Sequence, residues 1–310
     1  MRTPTRSAID VVDLPPVGTR VSLRYRRAEG AVPPLTDVIG HLIDAGALVR
    51  VRTKSGAVVE IAADDVVAVR ALTAAPVRTS AIRSMEHAAA MAWPGTEQQW
   101  IDGWLLRAAG GHTHRANSAV PLGIDARTDT LPAIVDWYSR RGQTPWLAVP
   151  DRLLTLPEGA AAHMETVVMV RGLPAGAADR DVRFAPRPDA TWLRIYERDV
   201  PVEVLTAVVD GAVVFAARGD AAVGRAAVTT APDDTRWAGL SAVRVADDHR
   251  HQGHARKLCS TLMDWAGAQG AQNCYVQVLV NNAPALALYE QLGFTAQHRT
   301  RYIDGAHVRS

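Results

Sequence analysis

Cysteine is almost missing from this 310-residue chain, with Cys259 and Cys274 the whole complement. Two cysteines far from any Cys-x-x-Cys spacing exclude a disulfide framework and leave no zinc motif. Such thiols suit a reducing compartment, and a cytoplasmic protein is expected. Lysine is just as scarce, at Lys54 and Lys257, so the basic residues are nearly all arginine. The net charge is only +2. A charge that small gives little long-range field for nucleic acid or an anionic membrane. No run approaches the ~18 apolar residues that cross a bilayer. Residues 1–18 carry charges and prolines where a secretory leader would need its apolar core. Neither a membrane nor a nucleic-acid partner is expected.

What the chain does have is a globular balance, 48% hydrophobic and 21% charged residues, over a length that usually divides into two or three domains. Residues 17–72 show short apolar alternations of period two: Val21, Leu23 and Tyr25, then 48–52, 58–61 and 66–69. Period two marks strands, and Lys54-Ser55-Gly56 between two of them reads as a tight hairpin turn. Five short strands in this space predict a small SH3-like β-barrel over 1–73, with a packing or adaptor role favoured because its charges nearly cancel. Residues 74–79, with Pro76, read as a linker.

Beyond it the expected order is helix 80–93, strands 104–109 and 116–122, helix 131–141, and strands 146–149 and 166–171. A related order recurs after Asp181: helix 192–210, a hairpin 212–217 and 222–229, strand 240–246, helix 253–268, strand 274–280, helix 283–292 and a terminal strand pair over 295–303. Two topologically related α/β lobes are therefore expected, over 74–180 and 181–310.

The chemistry-bearing stretch follows strand 240–246. Arg250, His251, Gln252, Gly253, His254, Ala255 and Arg256 open a helix, whose first backbone N–H groups lack intrahelical partners and favour an anion. Gly253 and Ala255 leave room for phosphate oxygens, and Arg250 and Arg256 add charge. The run is neither a Walker A loop nor a Gly-x-Gly-x-x-Gly fingerprint.

These residues resemble the pyrophosphate loop of the GNAT acetyltransferase superfamily, Arg/Gln-x-x-Gly-x-Gly/Ala, at Arg250, Gly253 and Ala255. A second segment, with Asn282, Ala285, Leu288, Tyr289, Gly293 and Phe294, is similar to the family's Asn-x-x-Ala-x-x-Leu-Tyr-x-x-x-Gly-Phe run. The resemblance implies an α/β (α+β) chain. Its C-terminal part would be a GNAT fold with a mixed, splayed sheet, preceded by a degenerate GNAT-like lobe without a pyrophosphate loop and by the small barrel. It implies acetyl-CoA as cosubstrate, with Val243 and Val245 at the pantetheine and acetyl groups, the 251–256 run at the pyrophosphate, and Asn282 orienting the cofactor arm. Tyr289, two helical turns beyond Asn282, would protonate the departing thiolate.

No carboxylate lies on strand 240–246, where many family members place a base. Asp233, Asp234 and Glu165 are the substitutes, on their expected places near strand ends. In the middle lobe His112 and His114 would share a strand face but lack a third ligand, so no metal is expected. Trp104, Arg115 and Asn117 are candidates to wall an acceptor pocket. The expected activity is N-acetyl transfer from acetyl-CoA to an amine, small or on a protein. A protein-lysine acceptor stays open because the three-part architecture resembles actinobacterial GNAT proteins classed as histone acetyltransferase-like. A non-catalytic acyl-CoA-binding adaptor is the alternative.

Overall fold

The computed structural model describes residues 12–28, 30–53, 55–72, 77–157, 160–173 and 181–308. It separates into two compact units, Met1–Pro76 and Val77–Ser310.

In the first unit, β1 (Arg20–Arg26), β2 (Leu35–Ala45), β3 (Leu48–Thr53), β4 (Val58–Ala62) and β5 (Val66–Ala71) form one antiparallel sheet in the order β4-β3-β2-β1-β5. The period-two alternation puts Val21, Leu23, Val38, Leu42, Val49 and Val51 into one core. Gly40 is required by close approach, since a Cβ there would meet the Arg52 carbonyl at 2.2 Å. The expected small β domain is present as an open sheet, because β4 and β5 form its two edges and share no ladder among the described residues. Lys54 of the expected turn and residues 73–76 of the expected linker lie outside the described residues.

The second unit starts with α1 (Thr79–Ala92) and a three-stranded meander, β6 (Glu97–Ile101), β7 (Trp104–Ala108) and β8 (Val120–Pro121). Then come α2 (Leu131–Ser139), β9 (Trp146–Pro150), β10 (Ala162–Gly172), β11 (Arg183–Ala185), α3 (Ala190–Tyr196) and α4 (Val202–Thr206). The remainder is β12 (Ala212–Arg218), β13 (Ala222–Thr230), β14 (Arg236–Val245), α5 (His254–Ala268), β15 (Asn273–Leu279), α6 (Ala283–Gln291) and β16 (Thr295–Asp304). Eight strands make one mixed sheet, β11-β12-β13-β14-β15-β10-β16-β9, in which only β14 and β15 run parallel. Strands from both sides of residues 174–180, which lie outside the described residues, thus share this sheet. α5 lays Leu258, Cys259, Leu262 and Ala266 on it, in a core with Ala226, Val228 and Val276.

Several elements differ from expectation. The helix expected over 192–210 is two: Glu197 turns left-handed at φ 54° and ends α3, and Pro201 precedes α4. The terminal strand pair is the single strand β16, held along its length by the eleven-residue β10. Strand 116–122 shrinks to β8 behind a 3-10 turn at His114–Ala116. His112 and His114 therefore share no strand face. β6 has no apolar alternation, and only Ile101 is partly covered.

Two buried polar groups brace the unit. Arg225 of β13 is fully buried and stacks on Trp93 at 4.3 Å. Its Nε donates to the Leu205 carbonyl at 2.7 Å, and its Nη2 donates to those of Ala92 at 2.8 Å and Ala207 at 3.1 Å. These carbonyls end α1 and α4, where helix dipoles place partial negative charge. Burial lowers the guanidinium pKa to about 10, so it stays charged at neutral pH. Glu86 of α1 accepts from Thr300 and lies 2.8 Å from Nε2 of His298, which fastens α1 to β16. Among the described residues no helix is long and apolar enough to cross a membrane.

Candidate active site

β14 and β15 pair at only three positions, Trp237 with Asn273, Ala238 with Cys274 and Gly239 with Tyr275, and then part. Two local features open the fork. The β13–β14 register shifts between Val223 and Arg225, and Ala242 of the bulged strand sits at φ 53°. At the fork itself the Tyr275 side chain lies over Gly239, where a Cβ would come within 2.2 Å of its hydroxyl. Beyond that wedge the facing main-chain groups of 240–245 and 276–279 are not paired with each other, and such groups need partners. They border a cleft of about 980 Å³.

Val243 and Val245 stand half-buried on its β14 wall. Arg250, His251, Gly253, His254, Ala255 and Arg256 also line it. Gln252 of that run does not: its Nε2 donates back to the Asp248 carbonyl at 3.2 Å. His251 at φ 62° and Gly253 at φ 77° turn the loop into the N-terminus of the fifteen-residue α5. Gly253 caps the helix without a side chain, and nothing lies within 4 Å of where its Cβ would be. The start of α5 thus has no side-chain cap and open space beside Gly253, an arrangement that suits a phosphate. The His254 pKa is lowered by desolvation and by the neighbouring Arg218, so its imidazole is neutral at pH 7 and accepts from that guanidinium.

Asn282 and Tyr289 both border the cleft. The Asn282 Oδ1 caps α6 by accepting from Ala285 N at 3.2 Å. Tyr289 is buried with its ring edge-on to Phe294, and the Cys259 thiol lies near its hydroxyl. Burial, with the thiols of Cys259 and Cys274 beside it, pushes the phenol well above its ordinary pKa.

The substitute carboxylates are elsewhere. Asp233 accepts from Ser84 at 2.9 Å at the far end of β14, Asp234 occupies a left-handed turn position beside it, and Glu165 pairs with Arg299 at 2.9 Å. Among the described residues, those that line the cleft include no Asp or Glu. Trp104 is core, its Nε1 donating to the Arg127 carbonyl. Asn117 is buried beneath the loop before the His114 turn, accepting from Ala109 N at 2.6 Å and Gly111 N at 2.9 Å.

Arg115 is on the wall. Its Nε donates to Gln277 Oε1 at 2.8 Å and its Nη2 to the Gln277 carbonyl at 2.9 Å, on the free side of β15. Tyr196, Arg198 and His114 also line the cleft; sequence reasoning missed Tyr196 and Arg198 and weighed His114 only as a metal ligand. His114 stacks among Trp146, His163 and Tyr302. Desolvation, then His163 and Arg115, lower its pKa, and its Nε2 is buried without a partner.

Two family profiles match the chain. Residues 79–303 match the one described as "Probable histone acetyltransferase Rv0428c C-terminal", and residues 15–70 match the "Rv0428c N-terminal Sm-like domain". The probable histone acetyltransferase Rv0428c of Mycobacterium tuberculosis (strain ATCC 25618 / H37Rv) is 50% identical over 299 residues, 96% of this chain and 98% of its own. The uncharacterized N-acetyltransferase YobR of Bacillus subtilis (strain 168) is 25% identical over 255 residues, 71% of this chain and 98% of its own. Among solved structures, a GCN5-related N-acetyltransferase from Kribbella flavida superposes with a TM-score of 0.52 at 12% identity, covering 74% of this chain and 96% of that one.

Proposed function

The chain belongs to the family of the probable histone acetyltransferase Rv0428c and has the GNAT acetyltransferase fold, and from that premise we propose that the β14/β15 cleft is where acetyl-CoA meets an acceptor amine. The observation that carries this reading is the three-pair parallel ladder opening onto the bare N-terminus of α5. When bound, acetyl-CoA supplies the acyl group as an activated thioester. Main-chain groups at Val243 and Val245, freed by the fork, hydrogen-bond the amides of its arm. The α5 N-terminus with Gly253, Ala255, Arg250 and Arg256 holds the pyrophosphate, with no side chain at Gly253 to obstruct it. The donors at Asn282 and in the 251–254 turn lie along the same wall.

Tyr289 donates a proton to the departing sulfur. A buried phenol with a raised pKa is protonated throughout the neutral range and so carries the proton the thiolate needs. The segment before residue 180 contributes the opposite lip through Arg115 and His114. The reading is tested by calorimetric titration with acetyl-CoA and by thiol release on addition of amines. Tight binding with acceptor-dependent release is the expected result. Absence of binding to folded protein refutes it.

A further inference from the structure

On the reading that this cleft joins acetyl-CoA to an amine, we infer that the acceptor amine also carries an anionic group, a carboxylate or a phosphate, bound by Arg115 and Arg198. Among the described residues the cleft wall holds five arginines and no carboxylate. Their charges are not equally available. Arg244 is paired with Glu197, and Arg250 with Asp247 at 2.7 Å. Arg256 belongs to α5, at the phosphate end. Arg115 and Arg198 are left, and among the described residues no carboxylate pairs with either.

These two arginines come from separate segments, one from the His114–Ala116 turn and the other from the connection between α3 and α4. They meet at one cleft, whose lining includes both of them and Tyr196. Arg115 is half-buried, and its partners are the neutral side chain and carbonyl of Gln277. A guanidinium partly withdrawn from water and met only by neutral acceptors is a site for an anion, and its fork suits carboxylate or phosphate oxygens. Gln277 fixes the plane of that fork before any ligand arrives.

The same charges bear on deprotonation, since among the described residues no carboxylate base lines the cleft. Nearby cations disfavour a protonated amine, and each unit by which they lower its pKa gives about tenfold more of the neutral, nucleophilic form. A lysine-rich tail or a polyamine would bring further positive charge to a wall with no acidic side chain. An amine bearing its own anion is attracted instead and anchored with the nitrogen free.

The experiment is a panel of matched amines assayed for thiol release with acetyl-CoA: amino acids against their methyl esters, amino-sugar phosphates against the unphosphorylated sugars, and a lysine-rich peptide and a polyamine. The carboxylate and phosphate arms separate the two anion sources. The expected result is kcat/KM at least about tenfold higher for the anionic member of a pair, as for a site built around a polar group of its substrate. Arg198→Glu, at an exposed position, is expected to raise KM for the anionic acceptor at least about tenfold while leaving acetyl-CoA affinity unchanged. Arg115→Gln should do the same if it folds. Equal or better use of esters, sugars or polycations overturns the inference. So does silence from every anionic amine while calorimetry shows acetyl-CoA bound. Failure to bind acetyl-CoA at all strikes the acetyltransferase reading of the cleft, and the inference with it.

Discussion

Replacing Tyr289 with Phe removes one hydroxyl from a buried ring and leaves the ring's contact with Phe294 in place. Its magnitude follows from where the hydroxyl sits. Burial and two neighbouring thiols hold the phenol well above its ordinary pKa, whereas a free thiol titrates near ~8.5. Proton transfer from Tyr289 to a departing thiolate is therefore uphill, and the benefit falls at or below the bottom of the roughly 10²–10⁴-fold usual for general acids. We expect kcat to fall about tenfold to hundredfold, or ~1.4–2.7 kcal/mol of barrier. The Kd for acetyl-CoA by calorimetry should stay within about twofold, because no binding contact of the arm is lost. The phenol also stays protonated from pH 6 to 9, so Tyr289 contributes no alkaline fall in rate over that span. Cys259→Ala supplies a control, since it removes the thiol beside the phenol and should leave turnover intact. Wild-type kcat in Tyr289→Phe, with chemistry shown to limit turnover, refutes the acid role.

Acetyl-CoA at about 100 times its Kd should stabilise the protein by ~2.7 kcal/mol, read as a rise in Tm; Gly253→Asp should abolish that rise by placing a carboxylate at the α5 N-terminus, and an equal rise in the folded variant would exclude this loop. Arg225→Met should cost about 3 kcal/mol, roughly 1 kcal/mol for each of three carbonyls left without a donor, and an unchanged Tm would show that the helix ends need no cation. His87 and His114 both have pKa values lowered by desolvation, so the unfolded chain binds more protons below ~6.5 and stability should fall as pH drops through that value. Gln at either position should flatten the dependence of Tm on pH between 7 and 5, and a slope as steep as wild type would refute the assignment. Asn117→Ala should weaken acceptor use and spare acetyl-CoA affinity, because it releases the loop that carries Arg115; equal loss of both would refute that division.

The half of the cleft that was legible in the sequence is the half whose parts are close together in the chain. From Val243 to Tyr289 strand, loop, helix, strand and helix follow directly, and Gly253 and Asn282 announce two helix starts by local chemistry alone. The opposite lip was not legible, because Arg115 meets Gln277 across 162 residues, and no periodicity reports such a meeting. Glu197 gave no sign that it would turn left-handed and cut an apolar run into α3 and α4, although Pro201 marked the break in retrospect. The spacing of Tyr289 from Asn282 gave the right face of α6, but only packing put its hydroxyl near Cys259. Arg225 looks like a surface residue in sequence and is fully buried, since its partners are the carbonyl ends of two helices.

The place of β10 in the large sheet governs how this protein comes together in time. It lies between β15 and β16, and Thr166 reaches Thr300 across 134 residues. During synthesis β10 leaves the ribosome long before either neighbour exists, with both its edges exposed until β15 is made and one of them until β16 follows. Contacts so distant in sequence carry a large loop-closure cost and fold slowly. A fragment beginning near residue 181 would have the opposite defect, with β15 and β16 facing a missing strand and offering raw edges to other copies. The unit from Val77 onward is therefore the smallest piece to express for any study of the cleft, and refolding it calls for dilution, so that β10 finds its own late partners before it finds a neighbour's.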